Sequence, residues 1–496
     1  MTDFLFETLI SAYLKGNNMA LNNLQNQKLS VIKEDSIKLE KKSGSYGKNS
    51  WIVIKNHYIL HINSIYCVIQ IHMKEIIKKI LIEWQESKIP EIIERDHSFD
   101  KDFSQILAII WPRRAGKTFF MYQIILWLLK KIAKNDVLFV NFEDYRLIDL
   151  QTKDLWLLID AHYELYSKKP SYLFFDEIQN LKNYGKILRT FKDNGYKIVV
   201  SWSSSQLLLE EVSTELRWRY HHLLILPFSF EEIIKYHHIE TKNIEYSIKK
   251  GDIMNILQDY VEYWWFGELL VQEKSEKTKT IENYYKTIFY KDILERHSIK
   301  SKFLFEYFMK YIVNSYSTIF SLGKFYEYLQ SQSIDWSKKT LANYLNYLQD
   351  AFFVIGVSKF SFSPKKSILS SKKIYLSDNS FINLATNYSE NRGKKLENLI
   401  AIHLYRQEKE FYYFQKGKEC DFIVKNWTKI TQAIQVCREL NFESKERETK
   451  WLLEAMKAFN LTIWYIITYD QQEKIVIDNL KIQVLPIWKA LIEKTI

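Results

Sequence analysis

The chain has 496 residues, of which 47% are hydrophobic and 16% aromatic. This composition excludes an intrinsically disordered protein, and the length allows two to four domains. The net charge of +11 is compatible with a nucleic-acid partner and equally with a lysine-rich solvated surface. Because no run of about 18 unbroken apolar residues occurs and the three cysteines are scattered, we predict a cytoplasmic protein without a membrane span, a disulfide framework or a zinc site.

The first 72 residues differ from the rest of the chain. The polar stretch "LEKKSGSYGKNS" separates a short helical pattern from the β-like run "WIVIKNHYILHI". A helix, "MKEIIKKILIEWQ", then begins at Met73 by its apolar spacing. We predict that residues 1–72 are a dispensable extension, or that the working start is Met73.

Residues 73–235 alternate short apolar strands with amphipathic helices. The predicted strands are "QILAII", "DVLFVNF", "SYLFFD" and "YKIVVS". Such alternation is typical of a parallel sheet covered by helices on both faces. Ligands of these sheets bind at the carboxyl ends of the strands.

The segment "IIWPRRAGKTFF", residues 109–120, has the form of a phosphate-binding loop. Gly116, Lys117 and Thr118 follow a strand and open a helix, where lysine would contact phosphates and the hydroxyl would bind Mg²⁺. Alone, "AGKT" is also compatible with chance or a helix cap. Asp176 and Glu177 end the apolar strand in "YLFFDEIQN" and supply the second part of a nucleotide-hydrolysis site. One carboxylate would belong to the Mg²⁺ shell, and the other would activate the attacking water. The alternative is an acidic first turn of a helix.

Residues 236–362 are predicted to be a helical linker followed by a module with the element order of a winged helix. Its third helix is capped by Ser337. The polar residues at the start of that helix, where major-groove contacts are usual, are Lys338, Lys339, Thr340 and Asn343. Packing or protein contact would give the same pattern, and we expect Tyr344 and Tyr347 in the core.

Residues 363–496 form a third predicted α/β region. It contains the helix "LENLIAIHLYRQ" and the strands "EFYYFQ", "CDFIV", "AIQVC" and "WYIITYD".

These motifs together resemble a family, the prokaryotic AAA-type ATPases that carry a C-terminal domain of unknown function with a nuclease-like core. The resemblance covers about residues 73–490 and rests on "PRRAGKT", "VNFED", "YLFFDEIQN", "SSSQLL", "ELRWRY", "LPFSFEE", "YKDILERHSIK", "KKIYLSD", "GKKLENLIAIHLYR", "KECDFIV" and "IQVCREL". It implies an α/β multidomain fold: a P-loop NTPase parallel sheet, a helical and winged-helix middle, and a restriction-endonuclease-like α/β C-terminal domain.

The resemblance also implies ATP and Mg²⁺ as ligands and ATP hydrolysis as the activity. Lys117 would bind phosphate, Thr118 and Asp176 the metal, and Glu177 the water. Further roles fall on Arg113 and Ala115 in the loop, on Ser203 as a polar sensor, and on Arg217 or Arg219 as an arginine finger. Surface salt bridges would equally explain both of these last arginines, and Arg114 and Arg113 could equally face solvent.

In the C-terminal region the nuclease pattern is incomplete. Glu397, Asp421 and Gln435 match three of its places, whereas Cys437 stands where the nuclease lysine would be. A neutral thiol cannot replace an ammonium, so we expect a DNA- or protein-binding role for this half. A catalytically degenerate nucleotide-binding scaffold and an ATP-regulated nuclease remain the alternatives, and an oligomer is compatible with the sequence.

Tryptophan stands at several glycine positions of the family. These positions are Trp111, Trp202, Trp218, Trp264 and Trp265, with similar replacements expected at Trp427, Trp451 and Trp464. The chain has 14 Trp and only 12 Gly. We hypothesise that a UGA codon read as glycine in the source organism has been rendered as tryptophan; the alternative is a degenerate paralogue that has lost ATP binding.

Overall fold

Five parallel strands form the centre of the first domain in the computed structural model. The structure describes residues 69–110, 116–202, 220–241, 244, 249–263, 267–270, 272–297, 299–334, 336–384, 392–417, 419–461, 463–477 and 480–496. The strands are β1 (Ile106–Ile110), β2 (Val137–Asn141), β3 (Tyr172–Asp176), β4 (Lys197–Trp202) and β5 (Tyr220–Leu224). Their order is β2-β3-β4-β1-β5, with every pairing parallel. The four strands predicted from the alternating pattern are confirmed; β5 was not predicted.

Helices cover both faces of this sheet. They are α1 (residues 69–86), α2 (Lys117–Leu129), α3 (Trp156–Tyr166) and α4 (Tyr184–Asp193). A fifth helix, α5 (Phe230–Tyr236), follows β5 and packs in a core shared with the last region. Leu107 and Ile109 of β1 pack in the core that contains α2. Ile106 and Ala108 pack in the opposite core with α1, α3 and α4. Since all five residues of β1 are buried, the apolar run "ILAII" is what a strand covered on both faces requires.

The middle of the chain is helical and ends in a small antiparallel sheet. Its helices are α6 (Lys249–Glu262), α7 (Lys274–Thr287, which continues through a π-helical segment, Ile288–Leu294), α8 (Lys302–Asn314), α9 (Leu322–Ser331) and α10 (Lys338–Asp350). The strands are β6 (Thr318–Phe320), β7 (Val354–Val357) and β8 (Lys372–Leu376), in the order β6-β8-β7. Because β8 pairs with both other strands, this sheet extends past residue 362, where we had placed a domain boundary.

The last region is built on a six-stranded mixed sheet. It contains α11 (Arg392–Arg406), β9 (Glu410–Gln415), β10 (Glu419–Asn426), β11 (Lys429–Val436), α12 (Phe442–Phe459), β12 (Ile463–Thr468), β13 (Glu473–Ile477), β14 (Leu480–Pro486) and α13 (Ile487–Glu493). The strand order is β13-β14-β12-β11-β10-β9. The pairings among β11, β12 and β14 are parallel, and the others are antiparallel. The helix and four strands predicted here are confirmed as elements.

Shorter helical segments connect these elements. They are Lys134–Asp136, Tyr145–Leu147, Thr152–Leu155, Ile178–Asn180, Gly267–Leu270, Glu295–His297, Pro364–Ile368 and Asn379–Leu384. In the part of the chain that the structure describes, no helix combines the length and apolarity needed to cross a membrane.

A buried ionic cluster joins the first domain to the last. The Glu232 carboxylate on α5 accepts from Arg95 Nε at 3.0 Å, and Arg406 Nη1 on α11 lies 3.9 Å from it. The same carboxylate caps α5 by accepting from the Ser229 amide. Glu232 and Arg95 are fully enclosed. Although burial opposes ionisation, Arg95 and Arg406 hold the pKa of Glu232 at about 2, so this carboxylate is charged at neutral pH.

Candidate functional site

The carboxyl end of β1 leads into α2, whose first turn carries the predicted phosphate-binding residues. Gly116 precedes the helix in the left-handed conformation, φ +92°, which glycine adopts at little cost. Among the described residues, an added Cβ would approach only Phe119 Cβ, at 3.9 Å. Lys117 and Thr118 follow as the first helical residues. Backbone N–H groups in a first helical turn lack intrahelical partners, so this turn can bind an anion.

Three neighbouring strand ends bring a hydroxyl, a carboxylate and a second hydroxyl into one hydrogen-bonded chain. Thr118 Oγ1 donates to Asp176 Oδ2 at 2.6 Å, and Ser201 Oγ donates to Asp176 Oδ1. The Ser201 hydroxyl in turn accepts from the Glu177 amide at 2.9 Å. Because β4 lies between β1 and β3, Ser201 on β4 can reach both Asp176 and the backbone that follows it.

Glu177 lies next to Asp176 in a strained backbone conformation. Its φ of 54° is in the left-handed region that non-glycine residues seldom adopt. Its carboxylate contacts the buried ammonium of Lys117 and accepts from the Gln179 amide. Within the described residues, the Lys117 ammonium has no hydrogen-bond partner besides this ion pair.

The electrostatics of Asp176 favour a bound cation. Burial raises the pKa of its carboxyl, the two hydroxyl donors lower it, and the charge of Glu177 raises it further. A desolvated carboxylate gains more from a divalent cation than an exposed one does. Carboxylate and hydroxyl oxygens are also the ligand types that Mg²⁺ prefers.

The structure therefore brings together Gly116, Lys117, Thr118, Asp176 and Glu177, as predicted from the sequence. Several other predicted positions fall outside the described residues: Trp111, Arg113, Arg114, Ala115, Ser203, Arg217, Trp218, Arg219, Trp264 and Trp265. Their roles stay predictions. Ser201 and Gln179 were missed, although a polar residue that ends the apolar strand "YKIVVS" was a usable signal for Ser201.

The second predicted constellation, in the last region, is arranged differently from the nuclease pattern. Glu397 and Asp421 both contact the ammonium of Lys373, a residue that we did not predict. Gln435 Oε1 accepts from the Asp421 amide at 3.3 Å. Cys437 lies in an apolar core one residue beyond β11. No local pattern singled out Lys373, because two adjacent lysines such as those in "SKKIYLSD" are usually exposed.

Two of the tryptophans at expected glycine positions, Trp202 and Trp427, lie in contrasting environments. Trp202 is fully buried with an ordinary backbone, and its Nε1 donates to the Tyr184 hydroxyl at 2.9 Å. Trp427 occupies the hairpin between β10 and β11 with φ 56°, and it is 88% exposed. The turn at residue 427 is therefore one that glycine favours, whereas the packing at residue 202 accommodates the indole.

Comparisons with known proteins agree with this site. An AAA domain model matches residues 103–234, and a model for a domain of unknown function, DUF8612, matches residues 257–392. No model for a nuclease is among these matches, and they leave the nuclease-like C-terminal fold without support.

Three uncharacterized proteins are similar over much of the chain. One from Methanocaldococcus jannaschii is 33% identical over 430 residues, covering 83% of this chain and 95% of its own. One from Haemophilus influenzae is 24% identical, covering 70% and 86%. A second Methanocaldococcus jannaschii protein is 24% identical, covering 66% and 72%.

A solved structure of Drosophila ORC bound to AT-rich DNA and Cdc6 aligns with 64% of this chain and 92% of that one, at 12% identity. Its TM-score of 0.18 is too low to support an argument. The family assignment rests on the AAA domain match and on the Methanocaldococcus jannaschii protein that is 33% identical to this chain. The chain belongs to the family of this Methanocaldococcus jannaschii protein, as a nucleotide-binding AAA-type P-loop ATPase.

Proposed function

We propose that this protein hydrolyses ATP with Mg²⁺ and uses the nucleotide cycle to control a DNA-binding middle region. The observation that carries the ATPase proposal is the hydrogen-bonded chain of Thr118, Asp176 and Ser201 across three adjacent strand ends. Lys117 binds phosphate, Thr118 and Asp176 hold Mg²⁺, and Glu177 orients the attacking water.

ATP and Mg²⁺ fit the residues at this site. Gly116 carries no side chain, and among the described residues only Phe119 Cβ, at 3.9 Å, would lie near a Cβ at this position. The buried ammonium of Lys117, which contacts the Glu177 carboxylate, is suited to a phosphate oxygen. Mg²⁺, when bound, neutralises charge on the phosphate oxygens.

Each protein group has a separate task in this proposal. Ser201 fixes the Asp176 carboxylate toward Thr118, and it also holds the Glu177 amide. Gln179 donates to the Glu177 carboxylate and so limits its orientation. Positioned groups of this kind lower the barrier mainly by placing charge in advance.

Phosphate release from ATP, with and without Mg²⁺, tests the proposal. We expect Lys117→Ala to reduce turnover by about 100-fold or more, since it removes a positive charge from the phosphate site. Glu177→Gln should retain ATP binding, measured with a fluorescent ATP analogue, and lose hydrolysis by a similar factor. Lys130→Ala, at the exposed end of the same helix, is the matched control and should behave as wild type.

The same assay distinguishes an ATPase from the alternative, a nucleotide-binding scaffold. A scaffold would bind the analogue normally and release phosphate no faster than Glu177→Gln does. Absence of nucleotide binding in the wild-type protein would contradict both proposals.

A specific arrangement favours DNA as the partner of the middle region. The order α8, β6, α9, α10, β7, β8 with the sheet order β6-β8-β7 is that of a winged helix, and we propose that α10 enters the major groove. Ser337 accepts from the Thr340 amide at 3.1 Å and starts α10. Lys338, Lys339 and Asn343 are exposed.

The loop between β7 and β8 would act as the wing in this proposal. Lys365 and Lys366 are exposed in it, beside the exposed apolar side chains of Ile368 and Leu369. Lysines at this position would contact phosphates next to the groove that α10 occupies.

Fluorescence anisotropy of a labelled duplex at several salt concentrations tests DNA binding. Replacing Lys338 and Lys339 together by alanine should weaken binding and reduce the slope of log K against log[salt] by about 2. Lys310→Ala, on α8 and paired with Glu306, is the control. Equal binding by the double variant and wild type would exclude α10 as the DNA-contacting helix.

A further inference from the structure

Three carboxylates of the last region surround one buried ammonium. Lys373 Nζ lies 2.8 Å from Glu397 Oε1, 2.5 Å from Glu419 Oε1 and 3.0 Å from Asp421 Oδ1. The Lys373 side chain is 3% exposed, and that of Asp421 is 8% exposed. Contacts this short to three oxygens place the ammonium at the centre of the carboxylate set.

Lys373 reaches this set from a different sheet. Its backbone is in β8, where it lies opposite Ile319 of β6 and Val357 of β7. The carboxylates of Glu419 and Asp421 are on β10. One side chain therefore links the three-stranded sheet to the six-stranded sheet by its charge.

The carboxylate oxygens around Lys373 have further partners. Tyr375 OH, also from β8, donates to Glu397 Oε1 at 2.8 Å. Asp421 Oδ2 accepts from the Val436 amide at 3.0 Å. The Lys373 ammonium and these donors occupy one oxygen of Glu397, one oxygen of Glu419 and both oxygens of Asp421.

The Lys373 ammonium offsets part of the negative charge of this cluster without a metal. Burial and the charge of Asp421 raise the pKa of Glu397 to about 8, which allows that carboxyl to share a proton at neutral pH. Burial alone would lower the pKa of Lys373, but its acidic neighbours raise it well above the ordinary value. Lys373 is therefore charged throughout the physiological range.

A divalent metal does not fit this arrangement. Mg²⁺ would need oxygen ligands at about 2.1 Å with several waters, and the enclosed ammonium lies among those oxygens. Within the described residues, no group of three or more His, Cys, Asp or Glu side chains is arranged to hold a metal ion. Burial raises the pKa of the Cys437 thiol to about 12, so that residue is neutral and cannot act as the nuclease lysine.

We propose that the ammonium of Lys373 is the resident cation of this site. It takes the place of the divalent metal, excludes metal binding, and fixes β8 to β10. The last region therefore does not cleave phosphodiesters at Glu397 and Asp421; the same residues hold two sheets together.

Manganese binding to the full-length protein without nucleotide tests this proposal. The signal of free Mn²⁺ in electron paramagnetic resonance counts the bound ions, and Asp421→Asn identifies those bound at this site. We expect wild type and Asp421→Asn to bind the same number. Lys373→Met should bind one more Mn²⁺ per chain, and Lys373→Met combined with Asp421→Asn should lose it.

The neighbouring lysine provides a matched control. Lys372 precedes Lys373 on β8, and its ammonium contacts Gln349 Oε1 at 3.4 Å instead of the carboxylates. Lys372→Met should leave the number of bound ions unchanged. In thermal unfolding, 1 mM Mn²⁺ should raise the melting temperature of Lys373→Met by several degrees more than that of wild type or Lys372→Met.

The result that would overturn the proposal is a Mn²⁺ ion bound by wild type and lost in Asp421→Asn. This comparison does not require Lys373→Met to fold. Cleavage of plasmid DNA by wild type with Mn²⁺, abolished by Asp421→Asn, would equally contradict it. Since no nucleotide is added, failure of the proposed ATPase activity would leave these outcomes unaffected.

Discussion

Ser201 is a site residue that we did not predict from the sequence. Its hydroxyl contacts both Asp176 and the amide of Glu177, whereas the family resemblance implies Ser203 as the polar residue at this strand end. A serine within an apolar strand is usually a buried residue without chemistry, and only the placement of β4 beside β3 brings it to the carboxylates. Its role is therefore set by sheet order.

We expect Ser201→Ala to lower the ATPase kcat by about 10-fold with little change in KM, since the hydroxyl orients catalytic groups without touching the adenosine. Ser201→Thr keeps a hydroxyl and should restore most of the rate. Ser171→Ala, at the opposite end of the sheet and exposed, is the control. A wild-type kcat for Ser201→Ala in steady-state phosphate release would show that the contact has no catalytic effect.

At Trp427 the backbone adopts a conformation that glycine favours. Its φ of 56° costs a residue with a Cβ about 1–2 kcal/mol relative to glycine. Trp427→Gly should therefore increase the free energy of unfolding by about 0.5–1 kcal/mol, after the entropy of the unfolded glycine is counted. Trp427→Ala retains the Cβ and should gain nothing. Urea unfolding measures both variants, and a loss of stability in Trp427→Gly would contradict the expectation.

The recoding hypothesis has its own measurement. Peptide mass spectrometry of the protein from its native source should find glycine at residues 111, 202 and 427. Tryptophan at residue 111 would instead mean that the phosphate loop is altered and would favour the degenerate paralogue. The packed indole of Trp202 shows that the fold can hold tryptophan at that position.

Helix α5 connects the first domain to the last. Its Glu232 is paired with Arg95 from the segment after α1 and lies near Arg406 from α11. Replacing this carboxylate leaves two enclosed guanidinium groups without it. Buried pairs of this kind are costly to break, even where their net contribution is small.

We expect Glu232→Ala to lower the free energy of unfolding by about 3–5 kcal/mol. Glu231→Ala, one residue earlier on α5, removes ion pairs with the half-exposed Lys235 and Lys494 and should cost at most about 1 kcal/mol. Urea unfolding followed by circular dichroism measures the difference. Equal losses of unfolding free energy for the two variants would mean that the contact between the two domains does not depend on the buried carboxylate.

For the whole molecule, local pattern predicted the elements better than their arrangement. The strands β1 to β4 and the pairing of Thr118 with Asp176 followed from apolar runs and from the rule that ligands gather at strand ends. The cluster around Lys373 could not be predicted in this way. Its carboxylates lie 24 to 48 positions from that lysine in the chain, and Lys373 and Asp421 belong to two different sheets. Burial of a lysine depends on tertiary packing, which has no local signal.

The buried histidine of α11 makes the stability of the molecule depend on pH. Burial, with Arg406, Lys409 and Lys494 nearby, lowers the pKa of His403 to about 3. The unfolded chain takes up this proton below pH 6.5 and the folded chain does not, so stability falls as pH drops from 6.5 toward 3.

At pH 4.5 this histidine should contribute a loss of about 2 kcal/mol relative to pH 7. His403→Phe, which cannot titrate, should lose correspondingly less stability over the same interval in urea unfolding. Identical pH dependence in the variant and wild type would show that other groups control acid unfolding.

The order β2-β3-β4-β1-β5 also has a consequence for synthesis on the ribosome. β1 is the first strand of the sheet to be made, but its two neighbours, β4 and β5, end at Trp202 and Leu224. Its apolar residues thus have no strand partner until about a hundred more residues have been translated. Since exposed apolar strands promote aggregation, a nascent chain shorter than about 224 residues should depend on chaperones, and the first domain should complete its sheet only after Leu224 has left the exit tunnel.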